Sequence, residues 1–277
     1  MMCEAARVLP RPWRHRQRCN CVRVYNAAYA NGTNSLCDLV DSAAPTTAIC
    51  TLRVKTNGLV DLTGVTPATK CSAATGGVCN VSKIYDQAGS TGGFIQTTAG
   101  NQAKLSFNAL NSLPGIACTS AAATSLSTSG SVTLPQPFSI STVAERNANF
   151  TTQGTWLGAL TNNLLLGPST SANNWFSLDP SGSSSGNVAA NDSVFHAAQG
   201  VYPTTGGTVT LSVDGVSHTG TAGSGGVTTA LRFCRQNGAL SPDGFVMEGG
   251  FWPIGFSGTQ TTNLNANQHS STNGYNF

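Results

Sequence analysis

Apolar residues fall in short runs separated by Gly, Ser, Asn and Pro clusters at fairly even spacing, the pattern of strands joined by turns in a sandwich or barrel. The runs predict strands at Val78–Tyr85, Ala103–Phe107, Phe138–Ala144, Thr155–Ala159, Asn174–Leu178, Thr208–Val213, Ala230–Cys234 and Phe245–Pro253. The clearest is Thr208–Thr219. Val209, Leu211 and Val213 alternate with Thr and Ser, and Asp214-Gly215 then supplies the positive-φ positions of a tight hairpin before Val216–Thr219 return. A helical segment is expected only near Val24–Ala30, while 181–194 and 220–228 read as Gly/Ser-rich loops. There is no internal repeat.

Composition sharpens this into an all-β prediction. Of 277 residues only 9% are charged and 31 are Gly, with few of the Leu, Glu and Lys that helices use. The length suits a single sandwich domain. No run of eighteen apolar residues occurs, so no membrane-spanning helix is expected.

Charge is unevenly placed. Six arginines (Arg7, Arg11, Arg14, Arg16, Arg18 and Arg23) against Glu4 give the first 23 residues +5, leaving −2 of the total +3 to the body. A nucleic-acid surface on the folded part is therefore not expected. Residues 1–23 are Pro-broken, lack the apolar core of a secretory signal, and are set apart from a domain spanning 24–277. Two readings stay open for them: a disordered basic arm, or an out-of-frame translation, since codons for Trp13–Asn20 can be chosen that encode an ordinary domain opening one nucleotide later.

Cysteines point to an oxidising setting. The short spacings Cys37 to Cys50 and Cys71 to Cys79 suit small disulfide loops, whereas Cys118 and Cys234 sit in strand-like runs as expected buried thiols. No second pair of Cys or His ligands accompanies Cys19 and Cys21, so no zinc site is expected, and no Asp-rich loop argues for calcium. No cofactor is implied. No phosphate loop is present, and the lone histidines His196 and His218 have no Ser or Cys context of the nucleophile-elbow type, so a nucleotide enzyme or a serine hydrolase is not expected.

Three stretches resemble a known family. They are Cys37-Asp38-Leu39-Val40-Asp41 with Cys50, then Cys71 to Cys79 leading into Val81-Ser82-Lys83-Ile84-Tyr85-Asp86-Gln87, and finally Leu231-Arg232-Phe233 with Gly244-Phe245-Val246-Met247-Glu248-Gly249. Together with Pro253 and Asn265-Ala266-Asn267-Gln268, they resemble the opening and the last strands of the arabinofuranosidase B catalytic domain and of concanavalin-like phage proteins. The resemblance implies a two-sheet, concanavalin A-like jelly roll holding a glycan, release of arabinofuranose with retention, and an extracellular or virion-surface setting.

Retention needs two carboxyl groups flanking the scissile bond. Matching residue by residue puts Gln153, in Phe150–Gly158, at the family's nucleophile, and Gln236, in Cys234-Arg235-Gln236-Asn237, at its acid. A glutamine amide hydrogen-bonds but neither attacks nor delivers a proton, so binding without hydrolysis is one expectation. The family's vicinal cysteine pair is also missing.

The candidate carboxylates for another mechanism are Glu145, Asp179, Asp243 and Glu248. Structural readings stand against the carboxylates: Asp214 is a turn former, Asp243 precedes Gly in a turn, Glu248 caps or crosses a strand pair, and Asp86 ties down the following loop. Sugar contact is expected from Gln153, Trp156, Trp175, Arg235, Gln236 and Asn237, the tryptophans as flat platforms with core packing as the alternative. A non-catalytic structural or adhesion module, as on a phage virion, is the second functional expectation.

Overall fold

The computed structural model describes residues 17–19, 21–24, 27–63, 67–88, 92–147, 154–160, 164–168, 174–178, 184–189, 193–223, 226–235, 241–270 and 275. Strands are numbered in chain order. The first sheet runs β7 (Ala103–Leu110), β8 (Leu113–Cys118), β21 (Gly244–Trp252), β11 (Phe138–Arg146), β16 (Phe195–Tyr202), β17 (Thr208–Val213) and β18 (Val216–Thr221). The second runs β4 (Val60–Asp61), β3 (Ala44–Val54), β2 (Ser35–Asp41), β5 (Asn80–Ile84), β6 (Phe94–Ile95), β9 (Leu126–Thr128), β20 (Leu231–Phe233), β12 (Leu157–Ala159), β13 (Leu165–Pro168), β14 (Asn174–Leu178) and β15 (Ser184–Ala189). All these pairings are antiparallel. β10 (Val132–Leu134) and β19 (Val227–Thr229) form a separate small ladder, and β5 also meets β7 at Asn80–Lys104 and Val81–Ala103, joining the sheets at one corner.

The core lies between the sheets because alternate residues of each strand face it. Leu39, Ile84, Phe94, Leu126 and Phe233 come from the second sheet, and Ile116, Ile140, Val246, Phe251 and Leu211 from the first. Phe94 bridges them, edge-on to Phe233 at 4.7 Å and stacked on Phe251 at 6.1 Å. Each such buried side chain stabilises the fold by roughly 1.5–3 kcal/mol. The hairpin forms at Asp214-Gly215 with φ of +50° and +85°, as the alternating pattern predicts.

The first sheet is also covered on its outer face, which the strand pattern does not predict. Besides the short α1 (Pro67–Ser72) there is α2 (Gly258–His269), which Ser257 caps, its side chain accepting from the Gln260 amide while the Gln260 side chain accepts from Ser257 N. The helix seats Leu264 and Gln268 against this face, and Ser139 anchors the approach by donating to Ile254 O and accepting from Phe256 N, both at 2.9 Å. Asn265–Gln268 therefore belong to a helix, not to the last strands that the resemblance implies. Near Val24–Ala30 the described helical residues form one 3₁₀ turn, Ala27–Tyr29. Ser184–Ala189 is a strand inside an expected loop. No helix among the described residues is long and apolar enough to cross a membrane.

The boundary expected after residue 23 falls inside the fold. β1 (Gln17–Cys19) pairs with Gly249–Phe251 of β21, Val22 and Arg23 are buried, and Cys21 is disulfide-bonded to Cys37. The Cys37–Cys50 expectation fails for this reason and by register: Cys37 lies opposite Leu52 while Cys50 lies opposite Leu39, two positions away. Cys50 is a free thiol. Cys71–Cys79 forms as the spacing suggests, and Cys118 and Cys234 are joined as a disulfide rather than left as thiols. Strand-like context places a cysteine in the core without showing which strand will face it.

Candidate functional site

At one end of the first sheet, β8, β11 and β21 run out together and leave a cleft of about 410 Å³. Register sets its walls. Ala117, Phe245, Glu145 and Phe195 form one cross-strand row on the outer face, and Cys118, Gly244 and Arg146 the next row. Gly244 has φ +148°, and a Cβ there would lie 2.1 Å from Glu145 O and 2.9 Å from the Trp156 ring. Only glycine lets β21 approach β11 this closely.

Two of the four candidate carboxylates, Glu145 and Asp243, line this cleft. Glu145 is half-buried between Phe195 and Phe245, whose rings are 6.5 Å apart, and no hydrogen bond or ion pair among the described residues reaches its carboxyl. Burial pushes its pKa above the ordinary glutamate value. Such a carboxyl is suited to holding a proton for delivery. Asp243 is differently placed: its oxygens accept from Ser120 N at 2.6 Å and Ser120 Oγ at 2.8 Å, which fixes the loop after β8.

Glu248 is not in the cleft. It lies on the same outer face opposite Val143, fully buried, paired with Arg23 Nε at 2.8 Å and accepting from Tyr275 OH at 2.7 Å and from Gln268 Nε2. Gln268 also reaches Ser141 and Gln199, Arg23 bonds Asn267 at 3.0 Å, and the Arg23 guanidinium stacks 4.8 Å from the Tyr275 ring. This network clamps the N-terminal segment, α2 and the C-terminal residues onto the sheet. A substrate has no route to it, and Glu248 is corrected from candidate catalyst to structural anchor. Asp86 takes its expected local role, accepting from Ala88 N at 2.9 Å.

The tryptophan platform is likewise corrected. Trp156, just before β12, and Trp175, on β14, are fully buried, 6.2 Å apart within the core. Gln153, Asp179, Gln236 and Asn237 lie outside the described residues. Arg235 is half-buried just after Cys234 and donates to Ala123 O at 3.1 Å.

A second feature is a polar row across the outer face of the second sheet. Thr51, Asp38, Lys83, Ile95, Ser127, Arg232 and Gly158 sit opposite one another on seven consecutive strands. Asp38 accepts from Thr51 Oγ1 at 2.7 Å and Tyr85 OH at 2.9 Å, and Lys83 Nζ rests 4.2 Å over the Tyr85 ring. Sequence reasoning missed Arg232. The signal was an arginine between two core residues, Leu231 and Phe233, which alternation turns outward. A further hollow of about 210 Å³ between α2 and the β17–β18 hairpin is lined by hydroxyls such as Thr210, Ser212 and Thr261, with no charged side chain. Among the described residues no group of three His, Cys, Asp or Glu side chains converges on a possible metal position.

No family model and no curated protein matches the sequence. Solved structures do match. An arabinofuranosidase complexed with arabinofuranosyl-α-1,2-xylobiose is 15% identical with TM-score 0.66, and a GH54 α-L-arabinofuranosidase soaked with a cyclic sulfate inhibitor is 12% identical with TM-score 0.62. Each likeness covers 90% of this chain and 61% of the other, so this chain spans about three fifths of their length. The likeness shows the fold, an all-β, two-sheet jelly-roll sandwich.

Proposed function

We propose that this chain is a carbohydrate-binding sandwich that presents the outer face of its second sheet to a glycan. The observation that carries the reading is the likeness over 90% of the chain to an arabinofuranosidase bound to an arabinofuranosyl oligosaccharide. The polar row on the second sheet supports it, because sugars need hydroxyl, amide and charged partners beside apolar surface. The first sheet offers less room, since α2, Arg23 and Tyr275 occupy its outer face. Three disulfides among the described residues support an oxidising, extracellular setting. Calorimetric titration of the full chain with α-1,5-linked arabinotriose and with uronate oligosaccharides is the test. Saturable binding of either class is expected, and a folded chain that binds neither would sink the reading.

Hydrolysis is a second reading, favoured by one observation: Glu145 and Asp243 share a cleft, and Glu145 is the carboxyl raised by burial. In it Glu145 would donate the proton to the leaving oxygen. Release of 4-nitrophenol from its α-L-arabinofuranoside, lost in both Glu145→Gln and Asp243→Asn, would establish it. No turnover from the folded chain would leave the binding module.

A further inference from the structure

The arginines at the end of the polar row deepen the glycan-binding reading and rest on it. Leu231 and Phe233 are fully buried in the core, so Arg232 between them emerges on the outer face of the second sheet. Its neighbours in register are Ser127 on β9 and Gly158 on β12, and Gly158 contributes no side chain beside the guanidinium. Arg232 Nε is shielded from solvent and has no hydrogen-bond partner among the described residues, and no ion pair there engages the side chain.

The electrostatics run the same way. Burial, and then the positive charge of Arg235, hold the Arg232 pKa below the usual arginine value. A shielded guanidinium N–H without an acceptor destabilises the fold, and a like charge beside it adds to that cost. Lys83 stands three strands away on the same row, about 14 Å at ordinary strand spacing, the span of a short oligosaccharide. Asp38, the acid of the row, lies beyond Lys83 and is engaged by Thr51 and Tyr85. An anionic ligand would remove both costs at Arg232. A carboxylate suits it best, because it matches the planar fork of a guanidinium.

We propose that Arg232 and Arg235 form a subsite for an acidic sugar, so that the glycan held by this face carries a uronate-type carboxylate. The Cys118–Cys234 disulfide fixes the subsite from below by holding the end of β20 to β8.

The experiment is calorimetric titration of the full chain with trigalacturonate and with neutral arabinotriose, on wild type and on Arg232→Gln, Arg232→Lys and Arg235→Gln. Trigalacturonate is expected to bind the wild type at least tenfold more tightly than arabinotriose, and to weaken as NaCl is raised while arabinotriose does not. Arg232→Gln should weaken trigalacturonate at least tenfold, Arg235→Gln several-fold, and Arg232→Lys less than Arg232→Gln. Arabinotriose binding without preference for trigalacturonate would overturn the acidic subsite and leave the glycan reading standing. So would unchanged trigalacturonate affinity in an Arg232→Gln protein with wild-type unfolding midpoint. Failure of both sugars to bind would overturn the glycan reading itself. The preference and its salt dependence are read on the wild type, so a variant that does not fold leaves the test intact.

Discussion

Two glutamates on the outer face of the first sheet differ in almost everything except position. Glu248 lies opposite Val143 on β11, and Glu145 lies two residues further along that strand. Glu248 has a cation, a phenol and an amide on its carboxylate and no solvent, whereas Glu145 has phenylalanines on both sides and no partner among the described residues. A buried carboxylate with every oxygen engaged is a clamp. One that is half-buried and unengaged keeps its chemistry free, at a cost to stability. Among the described residues Arg23, Gln268 and Tyr275 cover the first and not the second.

Breaking the clamp should give the largest effect. Glu248→Ala leaves the Arg23 guanidinium buried without its counter-charge, and a loss of about 3–5 kcal/mol is expected in urea unfolding. Replacing both partners with apolar residues, Arg23→Met with Glu248→Leu, should recover much of that loss. If Glu248→Ala costs no more than a surface substitution, the pair is not a clamp.

The cleft end depends on covalent and steric restraints instead. Replacing Cys118 and Cys234 together by Ser opens a loop of sequence separation 116 and should cost about 3 kcal/mol. Amide exchange should accelerate at 117–119 and 243–245 more than around Glu248. Equal acceleration at both ends would mean that the two regions unfold as one unit. Gly244→Ala should cost about 2 kcal/mol, since its Cβ meets Glu145 O and its φ is one that L-residues avoid.

The smallest effect is the most diagnostic of the contrast. The folded-state pKa of Glu145 is raised, so the native protein holds a proton that the unfolded chain gives up first, and stability falls as pH rises from the unfolded glutamate value through the folded one. Glu145→Gln should therefore be slightly more stable than wild type at pH 7, with the difference vanishing near pH 4. Thermal melts at the two pH values decide it. A variant less stable at pH 7 would show that Glu145 has a stabilising partner after all.

Much of the sandwich is legible from alternation alone. Thr208–Val213 and Asn174–Leu178 have the bounds their patterns predict, and the Asp214-Gly215 turn follows from residues that tolerate positive φ. α2 is less legible because Thr-Thr-Asn-Leu-Asn-Ala-Asn has weak helix propensity; its one local signal is Ser257 three residues before Gln260. The candidate site is harder still. Trp156 and Trp175 carry the composition of a sugar platform, yet which face of a strand is buried depends on what packs there.

The sequence by itself determined the class of fold, the hairpin and the Cys71–Cys79 loop, because periodicity, turn chemistry and short loop closure are local. Tertiary structure decided the rest. Cys37 bonds Cys21 rather than Cys50, Cys118 bonds Cys234, and Arg23 joins the core through Glu248. Each of these matches a residue with a partner far along the chain or on another strand, and such pairings are set by sheet register and by how the ends fold back. No window of neighbouring residues contains that information.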